Sequence, residues 1–203
     1  MAHRGLAGGR LRPNELRRSL LKVIESSCDW PQSWPFYLEI ARSDVSWDEK
    51  HHAVSRLVDL RRPEVVPILV RLARSGDPIA QRAAVDLIGN VLKVGSQKFA
   101  QEVLTQLTGE LLDILKNDKD ATVRSRAAGA LRYAQGPAVV PALIEALKDR
   151  DPWVGSHAAP TLGRIAGAEA IPSLEEYLAK VSHPSQKDAA RKAIDAIRQG
   201  TKQ

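Results

Sequence analysis

Few residues of this chain have the types and spacing that chemistry requires. His51 and His52 follow Asp48 and Glu49 in a segment predicted as helix, but this set lacks the ligand spacing of a zinc or iron motif. Cys28 is the single cysteine and has no evident base partner. No glycine-rich phosphate loop and no G-x-S-x-G segment occur. We therefore expect no catalytic residue, no metal site and no cofactor, in a protein that is not an enzyme.

The charge of the chain is positive overall but unevenly distributed. Its 203 residues carry a net charge of +6, and the first 25 residues hold six arginines or lysines against two acidic residues. We expect residues 1–13 to form a basic, disordered tail and residues 14–203 to form a single repeat domain. No apolar run approaches the roughly 18 to 20 residues that a membrane helix needs, and the N-terminal segment lacks the apolar stretch of a secretory signal. With the lone cysteine, these features predict a cytoplasmic protein without a membrane partner.

The elements that would position any functional residue repeat along the chain. "DATVRSRAAGALRYAQGPAVVPAL" at 120–143 and "DPWVGSHAAPTLGRIAGAEAIPSL" at 151–174 share an Ala-Ala pair, a following Leu and a late Pro. The residue pattern of each unit predicts two helices. The apolar face of the segment "VVPALIEAL" is too wide for one helix pair to cover. Stacking of neighbouring units would bury that face, which predicts an all-α fold. The predicted units lie near 14–44, 45–76, 77–120, 121–150 and 151–182, with a C-terminal capping helix at 183–203.

The fourth unit carries a family resemblance. Its V-R-x-x-A-A-x-A-L segment at 123–131 and V-P-x-L-I-x-A-L-x-D segment at 140–149 resemble HEAT repeats of the short, PBS-lyase-like type. The next unit departs from this pattern, with Gly155 where arginine is usual. The resemblance implies a right-handed α-solenoid of about five HEAT-like helix pairs plus a capping helix, with the second helices lining a concave face. It also implies a non-enzymatic protein–protein interaction scaffold or adaptor.

Charged side chains form two columns along the predicted second helices when these are aligned by their prolines. Neighbouring columns lie about one helical turn apart and have mostly opposite signs. They either pair within each helix, which contributes a few tenths of a kcal/mol, or present an ordered charge pattern to a protein partner. The predicted partner-binding residues are, in the first column, Glu39, Arg71, Asp113, Glu145 and Glu176, and in the second column, Arg42, Arg74, Lys116 and Lys148.

Two alternative functions stay open at this point. A DNA-binding or DNA-repair role would suit the net positive charge. However, a phosphate backbone favours cations without interleaved carboxylates, and four of the five residues in the first column are acidic. A bilin lyase-like or phycobilisome-associated role is implied for some proteins with this repeat type, although no residue here can be assigned to a chromophore. Nucleic acid is therefore a disfavoured partner.

Aromatic residues cluster near the N-terminal end of the repeats. Terminal units of a repeat stack must cover an apolar end, so these rings are explained by a capping layer. The alternative is a binding patch, because exposed Trp and Tyr dominate interaction hot spots. The residues of this candidate patch are Trp30, Trp34, Tyr37 and Trp47.

Overall fold

The structure, a computed structural model, describes residues 47–59, 62–97 and 99–200. These ranges contain nine α-helices and no strand, which confirms the predicted all-α fold for this part of the chain. The predicted tail and the helix pair expected within 14–44 lie outside the described residues. The helices are α1 (Trp47–Asp59), α2 (Val66–Ala73), α3 (Pro78–Val94), α4 (Gln101–Asn117), α5 (Ala121–Ala130), α6 (Val139–Ala146), α7 (Pro152–Ile165), α8 (Ile171–Lys180) and α9 (Pro184–Gly200).

The helices alternate between two layers. The first helices of the units, α3, α5 and α7, pack against one another in sequence, and α7 packs against α9. The second helices α2, α4 and α6 each pack against the first helix of the next unit. Helix α8 packs in the same way against α9, which continues the layer of first helices. Contacts therefore join each unit to its neighbours, and the buried apolar side chains form one continuous cluster along the stack.

Local residue chemistry explains where the first helices begin. Asp77, Asp120 and Asp151 each accept a hydrogen bond from the backbone N–H two residues later, at 3.0, 2.7 and 2.9 Å. Pro78 and Pro152 occupy the first helical position after two of these aspartates, where the missing N–H costs no hydrogen bond. A capping aspartate thus marks the start of α3, α5 and α7.

Small residues allow the first helices to approach closely. A Cβ atom added to Gly163 of α7 would lie 2.7 Å from Cα of Ala193 in α9, and one added to Gly89 of α3 would lie 3.1 Å from Cβ of Ala130. The hydroxyl of Thr161 in α7 donates a hydrogen bond of 2.9 Å to the carbonyl of Ala128 in α5. The first-helix layer is therefore held together by near contact of the backbones.

A buried ion pair joins the start of α5 to the residues that follow α6 within the fourth unit, at the arginine of the V-R-x-x-A-A segment. Arg124, whose side chain is 3% exposed, donates from Nε and Nη2 to the carboxylate of Asp149 at 2.8 and 2.7 Å. Its Nη1 donates to the carbonyls of Asp118 and Lys119 in the preceding turn. Burial disfavours the ionised form of Asp149, but the hydrogen bonds from Arg124 and from the N–H of Asp151 outweigh it and lower the pKa of Asp149.

Gln81 fills the corresponding position in the preceding unit, four residues after its capping aspartate. It donates hydrogen bonds to the carbonyl of Ala73 at 3.1 Å and to the carboxylate of Asp118 at 3.0 Å. A neutral amide therefore makes the same kind of contact between units that the Arg124 guanidinium makes.

Gly155, the third residue at this position, is explained by an aromatic ring. A Cβ atom at Gly155 would lie 2.5 Å from Cε2 of Tyr177, so the ring occupies the space that a side chain would need. Tyr177 is buried and its hydroxyl donates to the carbonyl of Pro152 at 3.0 Å. Burial raises the pKa of Tyr177 to about 12, so the hydroxyl remains a hydrogen-bond donor at neutral pH. Here an aromatic packing contact replaces the ion pair.

Candidate functional site

The second helices carry the predicted partner-binding residues on an accessible surface. Glu39 and Arg42 lie outside the described residues. The other seven predicted side chains are exposed, on α2, α4, α6 and α8 or within two residues of their C-terminal ends: Arg71, Arg74, Asp113, Lys116, Glu145, Lys148 and Glu176. We refer to this surface as the second-helix face.

Ion pairs between residues three or four positions apart occur at two of the second helices. At the C-terminal end of α6, Nζ of Lys148 lies 3.9 Å from Oε1 of Glu145, as the spacing of the columns predicted. In α8, Nζ of Lys180 donates to Oε1 of Glu176 at 2.6 Å and lowers the pKa of Glu176. Lys180 was not part of the predicted columns, although it lies four residues after Glu176, a spacing that brings two side chains together on a helix.

Arg74 pairs between units, in a contact that the sequence analysis missed. Its Nε and Nη2 donate to the two carboxylate oxygens of Glu110 in α4, at 2.8 and 2.6 Å. Glu110 lies three residues before Asp113, a spacing that puts both on one side of α4, and this spacing was the available signal. Asp113 itself accepts a hydrogen bond of 2.7 Å from the side-chain amide of Asn117.

A groove of about 540 Å³ lies between α4 and α6 on the second-helix face. Lys116 of α4 and Glu145 of α6, both predicted site residues, line it together with Asp149. The rest of its lining consists of Leu112, Leu115, Ala138, Pro141, Ala142 and Ala146. The groove thus combines an apolar surface with one ammonium group and two carboxylates, which can bind an apolar side chain and the polar groups that flank it.

A second recess of about 520 Å³ lies between the C-terminal ends of α6 and α8 and the N-terminal end of α7. Lys148 and Lys180 line it together with Trp153, which is 50% exposed and packs its ring at 5.4 Å from that of His183. The sequence analysis placed no binding role on Trp153. Of the predicted aromatic patch, Trp30, Trp34 and Tyr37 lie outside the described residues, and Trp47 is the first residue of α1.

Among the described residues, no group of three or more His, Cys, Asp or Glu side chains is placed to hold a metal ion. None of the described helices is both long enough and apolar enough to cross a bilayer.

The stacked helix pairs and their neighbour-to-neighbour core define an α-solenoid. A family model described as HEAT repeats matches residues 108–195, and one described as a HEAT-like repeat matches residues 78–133. Together these matches span more than half of the chain, which belongs to the HEAT-repeat proteins. The matched models do not assign the PBS-lyase-like type that the sequence resemblance suggested.

Solved repeat proteins share this fold. A designed armadillo repeat protein in complex with the peptide (KR)4 matches with a TM-score of 0.59 at 17% identity, over 93% of this chain and 95% of that one. A computationally designed armadillo repeat protein for modular peptide recognition matches with a TM-score of 0.58 at 18% identity, over 92% and 94% of the two chains. At such low identity these similarities concern the fold alone. The chain matches no curated protein at a significant level.

Proposed function

We propose that this protein is a non-enzymatic scaffold that binds a peptide segment of a protein partner along the second-helix face. The observation that supports this proposal is the groove between α4 and α6, where Lys116 and Glu145 line an otherwise largely apolar surface. Apolar side chains supply most of the binding energy at protein interfaces, and charged groups at the rim fix the orientation of the partner.

The charge pattern suggests the kind of segment that would bind. Lys116 and Glu145 have opposite signs, and the alternation continues with Lys148, two residues past the end of α6, and with Glu176 in α8. A segment with an apolar residue between one acidic and one basic residue would complement this surface. The solved relative with the peptide (KR)4 has a purely basic ligand, whereas a purely basic or purely acidic segment would meet repulsion here.

The existing ion pair of the groove residue Glu145 does not prevent such binding. The Glu145–Lys148 pair is long, at 3.9 Å, and its side chains are 77% and 53% exposed. Exposed pairs of this kind contribute at most about 1 kcal/mol, because water screens both charges. A partner can therefore replace this contact at little cost.

Selection from a random peptide display library against the folded protein tests the proposal with defined ligands. We expect enriched peptides to carry an apolar residue flanked by charges of opposite sign. Fluorescence anisotropy with a labelled enriched peptide then measures binding to Lys116→Glu and Glu145→Lys variants. Each reversal should weaken binding about tenfold, because it replaces an attraction by a repulsion of similar size.

Asn90→Lys is the matched control, since it changes the charge of an exposed residue on first helix α3. It should leave the affinity of the peptide unchanged. A peptide with its two charges exchanged should recover affinity for the Lys116→Glu, Glu145→Lys double variant. Equal effects of the control and the groove variants would refute the proposed location, and failure to enrich any saturable ligand would refute peptide binding.

Duplex DNA is the comparison ligand for the alternative function. Carboxylates alternate with cations on the second-helix face, and Arg74 is already paired with Glu110. A phosphate backbone would therefore meet acidic groups along the same path. Binding of duplex DNA that falls steeply with salt and is lost in Lys116→Glu would favour the nucleic-acid function over the proposed one.

A further inference from the structure

The first-helix layer contains a positively charged groove that the proposed function does not use. This groove of about 490 Å³ lies between α7 and α9. Its lining includes Gly163 and Ala193, at the position where the two helices come into backbone contact. Arg132, Arg164 and Lys192 also line it, and no carboxylate is among its lining residues.

Two of these cations are held by an aromatic ring. The guanidinium carbons of Arg132 and Arg164 lie 5.7 and 5.6 Å from the ring centre of Tyr133, which places both in cation–π contact with one ring. Nε of Arg132 also donates to the carbonyl of Gly129 at 2.8 Å. These contacts order the two guanidinium groups before any ligand arrives, which reduces the entropy cost of binding.

Arg132 and Arg164 lack the acidic partner that three other arginines of the stack have. Arg74, Arg124 and Arg126 each form an ion pair with a carboxylate of another helix or turn. In the part of the chain that the structure describes, neither Arg132 nor Arg164 lies within ion-pair distance of a carboxylate. Because a guanidinium has five N–H donors arranged as a fork, each retains donors suited to bidentate contact with a carboxylate.

Acidic groups nearby limit the positive region to the groove itself. Lys192 is paired with Asp188 on the same helix, at 2.7 Å. The adjacent recess, which shares Arg132, contains the ion pair between Asp86 and Arg126. A long polyanion such as a nucleic-acid backbone would pass these carboxylates on leaving the groove. A short acidic segment can remain between them.

We propose that the groove between α7 and α9 docks an acidic peptide segment of a protein partner, with Arg132 and Arg164 binding its Asp or Glu carboxylates. This surface is separate from the second-helix face, so the two can bind different segments. Binding here requires no change in the position of the helices, because Tyr133 already orders both guanidinium groups.

Fluorescence anisotropy with a labelled peptide of alternating Glu and Gly tests this proposal, with the Gln–Gly peptide as the neutral control probe. We expect saturable binding of the Glu peptide and none of the Gln peptide. Arg132→Gln and Arg164→Gln should each weaken binding about tenfold or more, since each removes a charge-assisted hydrogen-bonding group. Arg164→Lys should also weaken binding, because an ammonium cannot form the bidentate contact.

Arg150→Gln is the matched control, because it removes the same charge from an exposed turn residue that does not line the groove. It should change the affinity by less than about twofold, the effect of net charge alone. Both groove arginines are exposed, so their replacement should leave the circular dichroism spectrum unchanged. The lost contacts with Tyr133 and Gly129 should lower the midpoint of thermal unfolding only slightly, because single contacts of this kind contribute little to stability. Nε–Hε NMR signals of Arg132 and Arg164 should shift on titration with the Glu peptide in the unmodified protein.

Three results would overturn the proposal: no saturable binding of the Glu peptide, an equal loss in Arg150→Gln, or no shift of the two arginine signals. Tighter, arginine-dependent binding of duplex DNA than of the Glu peptide would also overturn it, in favour of a nucleic-acid site. Lys116→Glu and Glu145→Lys should leave this binding intact. Failure of peptide binding at the second-helix face would therefore not affect the outcome here.

Discussion

The contact between Gly155 and Tyr177 determines whether a Gly155→Ala substitution lowers or raises the stability of the protein. Replacement of glycine by alanine inside a helix normally stabilises by about 1 kcal/mol, because it lowers the backbone entropy of the unfolded chain. At Gly155 the new methyl group would lie 2.5 Å from Cε2 and 3.0 Å from Cζ of Tyr177. Overpacking of this kind costs about 1–3 kcal/mol. Any shift of the ring would also weaken the hydrogen bond to Pro152, worth about 1 kcal/mol.

We therefore expect Gly155→Ala to lower the free energy of unfolding by about 1–3 kcal/mol in the unmodified protein. In a Tyr177→Leu background the obstructing ring is absent. The same substitution should then be neutral or should stabilise by up to about 1 kcal/mol. The difference between these two effects is the coupling energy of the double-mutant cycle, which should be about 1–4 kcal/mol, whereas residues in direct contact usually give about 0.5–3 kcal/mol.

Urea unfolding followed by circular dichroism measures the four proteins of this cycle, and amide hydrogen exchange locates the loss in α7 and α8. The local measurement is needed because neighbouring units of a solenoid need not unfold together. If Gly155→Ala changes stability equally with and without the tyrosine ring, the explanation of this glycine by packing is wrong. A stabilised single variant would refute it as well.

Three further substitutions test other contacts of the stack. Gly163→Ala should destabilise the protein by about 2–3 kcal/mol and increase hydrogen exchange in α9. The added methyl group would lie 2.7 Å from Cα of Ala193, and a backbone atom cannot rotate away as a side chain can. Gly109→Ala, with nothing within 4 Å of the added Cβ, should instead stabilise by about 1 kcal/mol in urea unfolding. Asp149→Asn should cost about 2 kcal/mol at pH 7 by weakening the pair with Arg124. Because the folded pKa of Asp149 lies below its ordinary value of 3.8, the stabilisation by its carboxylate is complete above that value and is lost as the pH falls through the folded pKa. Thermal unfolding at several pH values should therefore show the difference between the two proteins shrinking in acid.

Each of these expectations has a result that contradicts it. A Gly163→Ala protein with unchanged exchange in α9 would show that the two helices can separate at little cost. A Gly109→Ala protein less stable than the parent would show that helix propensity does not control that exposed site. A constant stability difference for Asp149→Asn down to strongly acid pH would show that its ionisation does not contribute to folding.

The sequence predicted the elements of the fold better than the contacts between them. Pro67, Pro141 and Pro172 lie in the first turn of second helices, as their spacing indicated. Helix starts, prolines and apolar periodicity depend on neighbours within a few positions of the chain, so their pattern is readable without coordinates.

The candidate sites could be predicted only in part. The groove residues Lys116 and Glu145 were identified because they repeat at corresponding positions of second helices. The pair between Arg74 and Glu110 was missed, because residues 36 positions apart meet only through the packing of one unit on the next. No local pattern states which of several acidic residues on α4 an arginine of another helix will reach.

The amino-acid sequence by itself determined that this chain forms stacked helix pairs, because its repeated apolar faces exceed what any pair can bury. Only the tertiary structure decided that Arg132 and Arg164 share the ring of Tyr133, and that Tyr177 occupies the space above Gly155. The physical reason is that these contacts depend on the distance and rotation between neighbouring units. That geometry results from the packing of many side chains at once and is not encoded at any single position.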